Sequence, residues 1–420
     1  MATAQAPLED EGRSGSEFIA LVALTTSLVA MSIDTMLPAL GAIAGDLGAR
    51  EANDRQLIVS AFLAGLTAGQ FLYGPISDST GRKPALYSGI GIFVAAAVVC
   101  AITRSFTIML VARALQGLGA ASGRVVSIAI VRDRFAGRAM ARVMSFVNVV
   151  FILVPIVAPS VGQGILLFAH WRVIFWALCA VAIVDISWFA LRQAETLPLP
   201  RRVAFSPRSI GRAVAEVLRS RITFGYMLAS GFIFGAFINY LTTSQQIFQD
   251  QYGLGRLFPL CFGSLALSIG LASFTNGKLV MRFGMRELSK WALRGDCVLS
   301  LGFLGIAASF GGHPPFAAFM TYMLLCFFCN GLLFGNFSAR AMEPMGHIAG
   351  VAAAVISSGS NLMALTWATL LGRAYNGTVL PLVGAFALFG LAALAATEYA
   401  ERTPAGPNAG QPDAGPRFSA

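Results

Sequence analysis

Apolar residues recur along this chain in runs of roughly 20, the length an α-helix needs to cross about 30 Å of hydrocarbon. A helix that is apolar all round for that distance does not suit a water-facing surface. The composition agrees. Of 420 residues 56% are hydrophobic and 12% charged, about half the charged share of an average soluble protein. Twelve runs stand out, at about 18–40, 55–76, 84–103, 107–131, 139–164, 171–192, 221–243, 258–280, 286–308, 315–340, 347–371 and 378–397. The chain is therefore expected to be an all-α membrane protein of twelve transmembrane helices, embedded in a lipid bilayer, and not a soluble enzyme.

The runs fall into two sets of six. A polar connection over 193–220, with Pro198, Pro200, Pro207 and five arginines, separates a first bundle, 18–192, from a second, 221–397. Residues 1–17 form a polar N-terminal tail without the basic stretch of a cleaved signal peptide. Residues 398–420, rich in Pro, Gly and Ala after Thr403, are expected to be a disordered C-terminal tail. With both termini cytoplasmic, 20 of the 30 Lys and Arg residues lie in cytoplasmic segments. Only Arg50, Arg55, Arg104, Arg172, Arg256 and Arg373 then lie outside. That bias fixes the expected orientation, a multi-pass protein of a bacterial inner membrane. An internal repeat supports two related halves. Gly74, Gly81 and Lys83 after the second run recur as Gly277, Gly284 and Arg286 after the eighth, shifted by 203 residues. Such repeats imply two six-helix pseudo-repeat bundles around a central midplane site.

Several motifs then resemble a known family. The segment Gly74-Pro-Ile-Ser-Asp78-Ser-Thr-Gly81-Arg82-Lys83 resembles the loop signature of the major facilitator superfamily, with Ser79 where that signature usually has Arg. Arg113-Ala-Leu-Gln116-Gly117-Leu-Gly119-Ala120-Ala121 resembles a motif of its drug/proton antiporters. Asp34-Thr-Met-Leu-Pro38-Ala-Leu resembles the first helix of the Bcr/CflA multidrug efflux branch. Arg132-Asp133-Arg134-Phe135 and Ala341–Gly350 are similar to the same branch. The antiporter motif of the fifth run is eroded, with Pro159 and Gly162 surviving and Val154, Ala158 and Gln163 in its other places. The resemblance implies the fold of that superfamily, proton antiport and alternating access.

Asp34 is the sharpest candidate for chemistry. It is the one acid within the first run, and a carboxyl in hydrocarbon must be paired or water-exposed, or else serve a function. It either exchanges protons and substrate or anchors the helix near Pro38. Arg113 lies at similar depth in the fourth run. It is expected to pair with Asp34, or alternatively to bond backbone carbonyls of the first helix, with Gln116 one turn away. Met31, Asn148, Asn239 and Tyr240 complete the expected cavity, where Met and aromatic side chains suit loosely specific binding. Gly74, Asp78, Gly81, Arg82, Lys83 and Arg132 form a second group. The resemblance implies that Asp78 latches onto the start of the eleventh span in an outward-open state; a solvated turn is the alternative. Met281 occupies the matching place in the second half, so any latch is one-sided. Asp185 and Asp296 are either further proton sites or inter-helix ties.

Other chemistries find no footing. There is no phosphate-binding loop and no metal-spaced histidine pair, so neither cofactor nor metal is expected. Cys326 and Cys329 sit mid-helix as packing residues. No basic cluster interleaved with aromatics points to nucleic acid. The expected activity is proton-coupled export of small amphipathic compounds or drugs by a monomer, its partners being the small-molecule substrate and protons. Transport of a single metabolite is the alternative.

Overall fold

The computed structural model describes residues 11–202 and 207–402. The helices are α1 (Glu11–Asp34), α2 (Leu40–Asp46), α3 (Gln56–Thr80), α4 (Arg82–Ile102), α5 (Phe106–Arg134), α6 (Gly137–Phe168) and α7 (Arg172–Arg192). After the connection come α8 (Pro207–Arg219), α9 (Arg221–Gln245), α10 (Phe258–Ser309), α11 (Phe316–Met342), α12 (Ala349–Gly372) and α13 (Leu380–Glu401). Ten helical segments are long and apolar enough to span a membrane. Two of them, of 55 and 57 residues, each hold two crossings. The first bends at Gly284, whose φ of 77° breaks α10 into two arms. The second is interrupted between α11 and α12 by the 3-10 turn Glu343–Ile348, which carries Pro344. Twelve crossings result, as the hydropathy predicts.

In membrane helices the surface that faces lipid is the apolar one, and close approach depends on small residues. Ile108, Val111 and Leu115 lie exposed on one face of α5, and Leu260, Leu267, Leu271 and Phe274 on one face of α10. The opposite face of α5 is its packing face. A Cβ on Gly117 would stand 1.9 Å from the Phe62 carbonyl, and one on Gly65 would stand 1.7 Å from that of Ala114. These glycines let α3 and α5 touch backbone to backbone. Within the first half α4 packs on α5 and α7, and α1 on α6. Within the second, α9 packs on α12 and α13, and α10 on α11 and α13. The halves meet where α10 crosses α6 and where α12 crosses α3.

Three boundaries differ from expectation. Helix α1 starts at Glu11, so residues 11–17 are helical and not a tail. Helix α13 runs to Glu401, past the expected start of a disordered tail at 398, because the Glu401 carboxylate is held by Arg286 and Arg340. The expected tail beyond 402 lies outside the described residues. The polar connection contains α8, whose Ala213 and Val217 are buried while Arg208 and Arg212 face out. Spacing of apolar residues over 213–217 carries that signal, masked in a scan for long apolar runs by Glu216 and the flanking Arg212 and Arg219.

Candidate functional site

The first crossing is broken at the candidate acid. Helix α1 ends at Asp34, turns through Thr35 and Met36, and resumes as a 3-10 turn over Leu37–Ala39 before α2. Pro38 has no N–H, so the Asp34 carbonyl lacks its helical donor. The Met36 N–H goes back to the Ile33 carbonyl at 3.2 Å, which leaves the Ser32 carbonyl without its own. Helix α6 lies hard against the break, where a Cβ on Gly162 would sit 1.8 Å from the Thr35 carbonyl. The Asp34 side chain is 4% exposed. Among the described residues it takes part in no ion pair. Tyr240 of α9 stands within electrostatic range of it.

Arg113 does not pair with Asp34, and the expectation of that pair is corrected here. Its Nη2 donates to the Ser32 carbonyl at 3.1 Å and its Nε to the Ile58 carbonyl at 3.3 Å. Its Nη1 donates to Gln116 Oε1 at 2.6 Å, and its guanidinium lies 4.4 Å from the Phe62 ring centre. The helix break supplies the physical reason, since it leaves a carbonyl that needs a donor. The alternative reading, bonding to the backbone of the first helix, is the observed one.

Other expected residues are placed as follows. Met31 is half-buried against the core one turn before Asp34. Gln116 is fully buried, and its Nε2 has no hydrogen-bond partner. Asn239 Oδ1 and the Tyr240 hydroxyl are also buried without partners. The side chain of Asn148 lies outside the described residues. Asp185 accepts from the Thr25 hydroxyl at 2.8 Å and Asp296 from Asn330 at 3.4 Å. Both acids thus tie helices within one half. Sequence reasoning counted phenylalanines but did not find their arrangement. The Tyr240 ring stacks on Phe262 at 5.7 Å and meets Phe327 edge-on at 4.8 Å. Phe237 touches Phe327 at 5.9 Å and Phe334 at 5.8 Å, and Phe234 touches Phe334 at 5.1 Å. Together they make an aromatic wall on α9, α10 and α11.

A polar zipper joins the halves at one end only. Asn53 donates to the carbonyls of Arg373, at 3.1 Å, and Tyr375, at 2.9 Å, and accepts from Gln246 at 2.8 Å. Gln56 donates to Gln246 at 2.6 Å. Arg55 donates to Gln245 at 2.7 Å and pairs with Asp250 at 2.7 Å. The π-helical segment Gln246–Gln251 at the end of α9 presents the second-half partners. One further bond, Asn361 to Gln70 at 2.9 Å, lies midway along α12 and α3. Among the described residues no hydrogen bond or ion pair joins the halves at the Asp78 end.

At that end the second group of residues forms a cluster inside the first half. Gly81 turns the chain with φ 109°. Arg82 pairs with Asp133 at 2.8 Å and with Asp78 at 2.6 Å. Asp78 is 48% exposed at its side chain. Arg132, and not Asp78, reaches the start of α12, where a Cβ on Gly350 would lie 3.5 Å from its Nη1. Gly74 has open space where a Cβ would stand. Lys83 Nζ donates to the Gln193 carbonyl at 2.7 Å. The residue that sequence reading missed is Glu195. Its carboxylate accepts from the backbone N–H groups of Arg82 and Lys83, both at 3.0 Å, and so caps α4 from the far side of the half. Burial pushes the Glu195 carboxyl up. The N–H groups of Leu197, Lys83, Arg82 and Thr196 outweigh this and hold it below the usual glutamate range.

A sequence model of the Major Facilitator Superfamily matches residues 22–368. An uncharacterized MFS-type transporter, YdgK, of Bacillus subtilis is 34% identical over 90% of this chain and 96% of its own length. A bicyclomycin resistance protein homolog of Haemophilus influenzae is 28% identical over 81% of this chain and 85% of its own. The multidrug resistance protein MdtL of Klebsiella pneumoniae is 30% identical over 77% and 80%. Among solved structures, a D-xylose-proton symporter superposes with a TM-score of 0.72 at 16% identity, over 92% of this chain and 97% of its own.

The Glu195 cap has a pH signature. A carboxyl held below its unfolded value stabilises fully above that value, and the stabilisation disappears as pH falls through the folded one. Glu195→Gln is expected to lose about 1 kcal/mol near neutral pH, the usual worth of a helix N-cap. Melting of wild type and variant should converge on acidification below the glutamate range. A gap that stays constant with pH would show that the cap does not titrate.

Proposed function

Because this chain belongs to the major facilitator superfamily, and is thus a membrane transporter and not an enzyme, we propose that it exports small amphipathic compounds, drugs included, in exchange for protons. The reading rests above all on the Asp34 carboxyl, buried at a helix break and, among the described residues, in no ion pair. The names of the bicyclomycin and multidrug resistance relatives support the substrate class. So does the aromatic wall around Tyr240, since such surfaces accept varied apolar shapes. A single-metabolite transporter would be expected to offer Arg113 or Arg124 to a substrate carboxylate. Arg113 is instead engaged by Ser32, Ile58 and Gln116, which lends support to the drug reading.

The working bodies in this proposal are 18–192 and 221–397, joined by 193–220, in a monomer of a bacterial inner membrane with both termini inside. The closed Asn53 end is then the outer end, and the conformer faces the cytoplasm. Reporter fusions after residues 205 and 410 should both report cytoplasm; a periplasmic signal at either position would overturn the orientation.

In the opposite, outward-open state Asp78 would leave Arg82 and engage the start of α12, with Gly81 and Lys83 fixing the turn and Arg132 already beside Gly350. Asp78→Asn should slow turnover with the fold intact and shift inside/outside accessibility to labelling. Wild-type kinetics with unchanged accessibility would remove the latch.

Coupling in this scheme is competition at one carboxyl. From the inward-facing state a cationic or polar substrate displaces the proton on Asp34 to the cytoplasm. After substrate leaves on the other side, Asp34 takes up a new proton there. Gln116, Asn239 and Tyr240 offer unpartnered polar atoms to orient the substrate. Substrate added to the solubilised protein in unbuffered solution should release protons from wild type. Asp34→Asn should release none and lose gradient-driven efflux in inverted vesicles, while uncharged compounds still bind. Equal release from both proteins would move coupling away from Asp34.

A further inference from the structure

A cavity of about 270 Å³ opens at the Gly284 end, between the second arm of α10, α11 and α13. Its walls are of two kinds. Arg286, Lys290 and Arg294 line it at four-residue spacing on one face of α10, and Arg402 stands beyond α13. Leu293, Phe337 and Leu394 make its apolar side. Ser289 also lines it, 3% exposed, and its Oγ has no hydrogen-bond partner. A buried hydroxyl without a partner costs free energy unless a ligand supplies one.

Glu401 does not neutralise this cavity. It is already engaged by Arg286 at 2.8 Å, Arg340 at 2.6 Å and the Tyr226 hydroxyl at 2.7 Å. Lys290 holds Glu287 at 3.0 Å, and Glu398 is the one other acid on the wall. Arg294 and Arg402 take part in no ion pair among the described residues. The repeat sharpens the contrast. At the positions of Arg286, Lys290 and Arg294 the first half has Lys83, Tyr87 and Gly91. There the chain supplies its own anion, Glu195, to the corresponding helix start. The second half has gained a basic column and a cavity beside it.

The column spans about 12 Å of helix from Arg286 to Arg294. It starts at the arginine-rich end and runs toward the apolar interior. Trp291, on the same stretch, is 70% exposed, as expected of an indole at headgroup depth. We infer that this groove between α10 and α13 binds the phosphate of an anionic phospholipid. Arg294, Arg402 and the Ser289 hydroxyl hold the phosphate, and Leu293 and Leu394 guide an acyl chain. A lipid fits better than a soluble phosphate because Leu293, Phe337 and Leu394 set an apolar wall beside the basic one.

The test is native mass spectrometry of the full chain in detergent, titrated with dioleoyl phosphatidylglycerol. Wild type should bind it saturably, in preference to dioleoyl phosphatidylcholine, and millimolar inorganic phosphate should not displace it. Arg294→Gln/Arg402→Gln should weaken binding about tenfold or more, given roughly 1 kcal/mol per basic residue near an anionic headgroup. Ser289→Ala should weaken it less. Arg208→Gln/Arg212→Gln, which removes two exposed charges from α8, should leave it unchanged. The groove variants change two exposed side chains and one oxygen, and an unchanged melting temperature verifies their fold. Equal binding by the groove and wild-type proteins would overturn the site. Equal loss in the α8 control, or no preference over phosphatidylcholine, would reduce it to general charge or lipid attraction. Displacement by inorganic phosphate would make it a soluble-anion site instead.

Discussion

Inside a membrane-spanning bundle a backbone carbonyl cannot be left bare, and the break after Asp34 leaves one at Ser32. Arg113 answers that need, and the consequences reach the proton chemistry. Its charge is settled by carbonyl dipoles, an amide and the face of Phe62, all neutral groups. Asp34 is therefore not locked in an ion pair. Removing one partner of a buried pair costs roughly 3–5 kcal/mol, equivalent to about two to four pH units. A carboxylate tied to Arg113 would demand that much of every arriving proton. In the proposed cycle a carboxylate without that tie would exchange protons with a smaller gradient, while Arg113 holds the helices through Ser32 and Ile58.

The two halves share a frame and differ in its electrostatics. Each turns at a glycine, Gly81 or Gly284, and each ties the next helix to the end of its sixth through an acid. In the first half the acid accepts from backbone N–H groups, and Arg82 pairs with Asp133 and Asp78 on the neighbouring helix ends. In the second the acid holds two arginines, with Arg340 also bound to Glu343. Met281 stands where Asp78 would be, exposed. In the proposed cycle the Asp78 carboxylate of the first half would exchange Arg82 for a partner in the second half, which has no acid at the matching place. A switch on one side only suffices for a two-state rocking device, because moving either body relative to the other opens the same gap.

Much of this was legible in the sequence. Hydropathy gave the twelve crossings because burial in lipid is a one-dimensional signal of length and polarity. The repeat at 203 residues gave the halves, and charge asymmetry gave the orientation now proposed. What stayed hidden depends on where a chain bends. Arg113 and Asp34 share a depth, which invites a pair, but the direction of Met36 N–H after Thr35 decides which acceptor is vacant. Glu195 looked like one more loop acid, because nothing local ties it to a helix start 112 residues earlier. The glutamines of the zipper fall at the soft ends of crossings, where an amide is unremarkable until its partner from the other half is known. Asp185 and Asp296 are indistinguishable from Asp34 as buried acids in apolar runs, and their bonds to Thr25 and Asn330 emerge only in the structure.

The composition of the zipper bears on where proton control can reside. Four of its bonds run between neutral groups: Asn53 to two carbonyls, Gln246 to Asn53, and Gln56 to Gln246. Such bonds do not titrate, and each contributes roughly 0.5–1.5 kcal/mol net because water replaces it on opening. Inverting a two-state population from 1:99 to 99:1 takes about 5.5 kcal/mol, which is within the reach of these bonds together. The zipper can therefore hold the closed end shut without a charge that responds to pH, apart from the Arg55–Asp250 pair at its rim. In the proposed cycle an end gate built mainly of amides would set the balance between states, and a proton that shifts that balance would act elsewhere. Among the described residues, the carboxyl at the junction of the halves with neither an ion pair nor a side-chain hydrogen bond is Asp34. Its protonation changes the charge facing Tyr240 and the aromatic wall of the second half, and it does so at the point where the first helix is already broken and can bend.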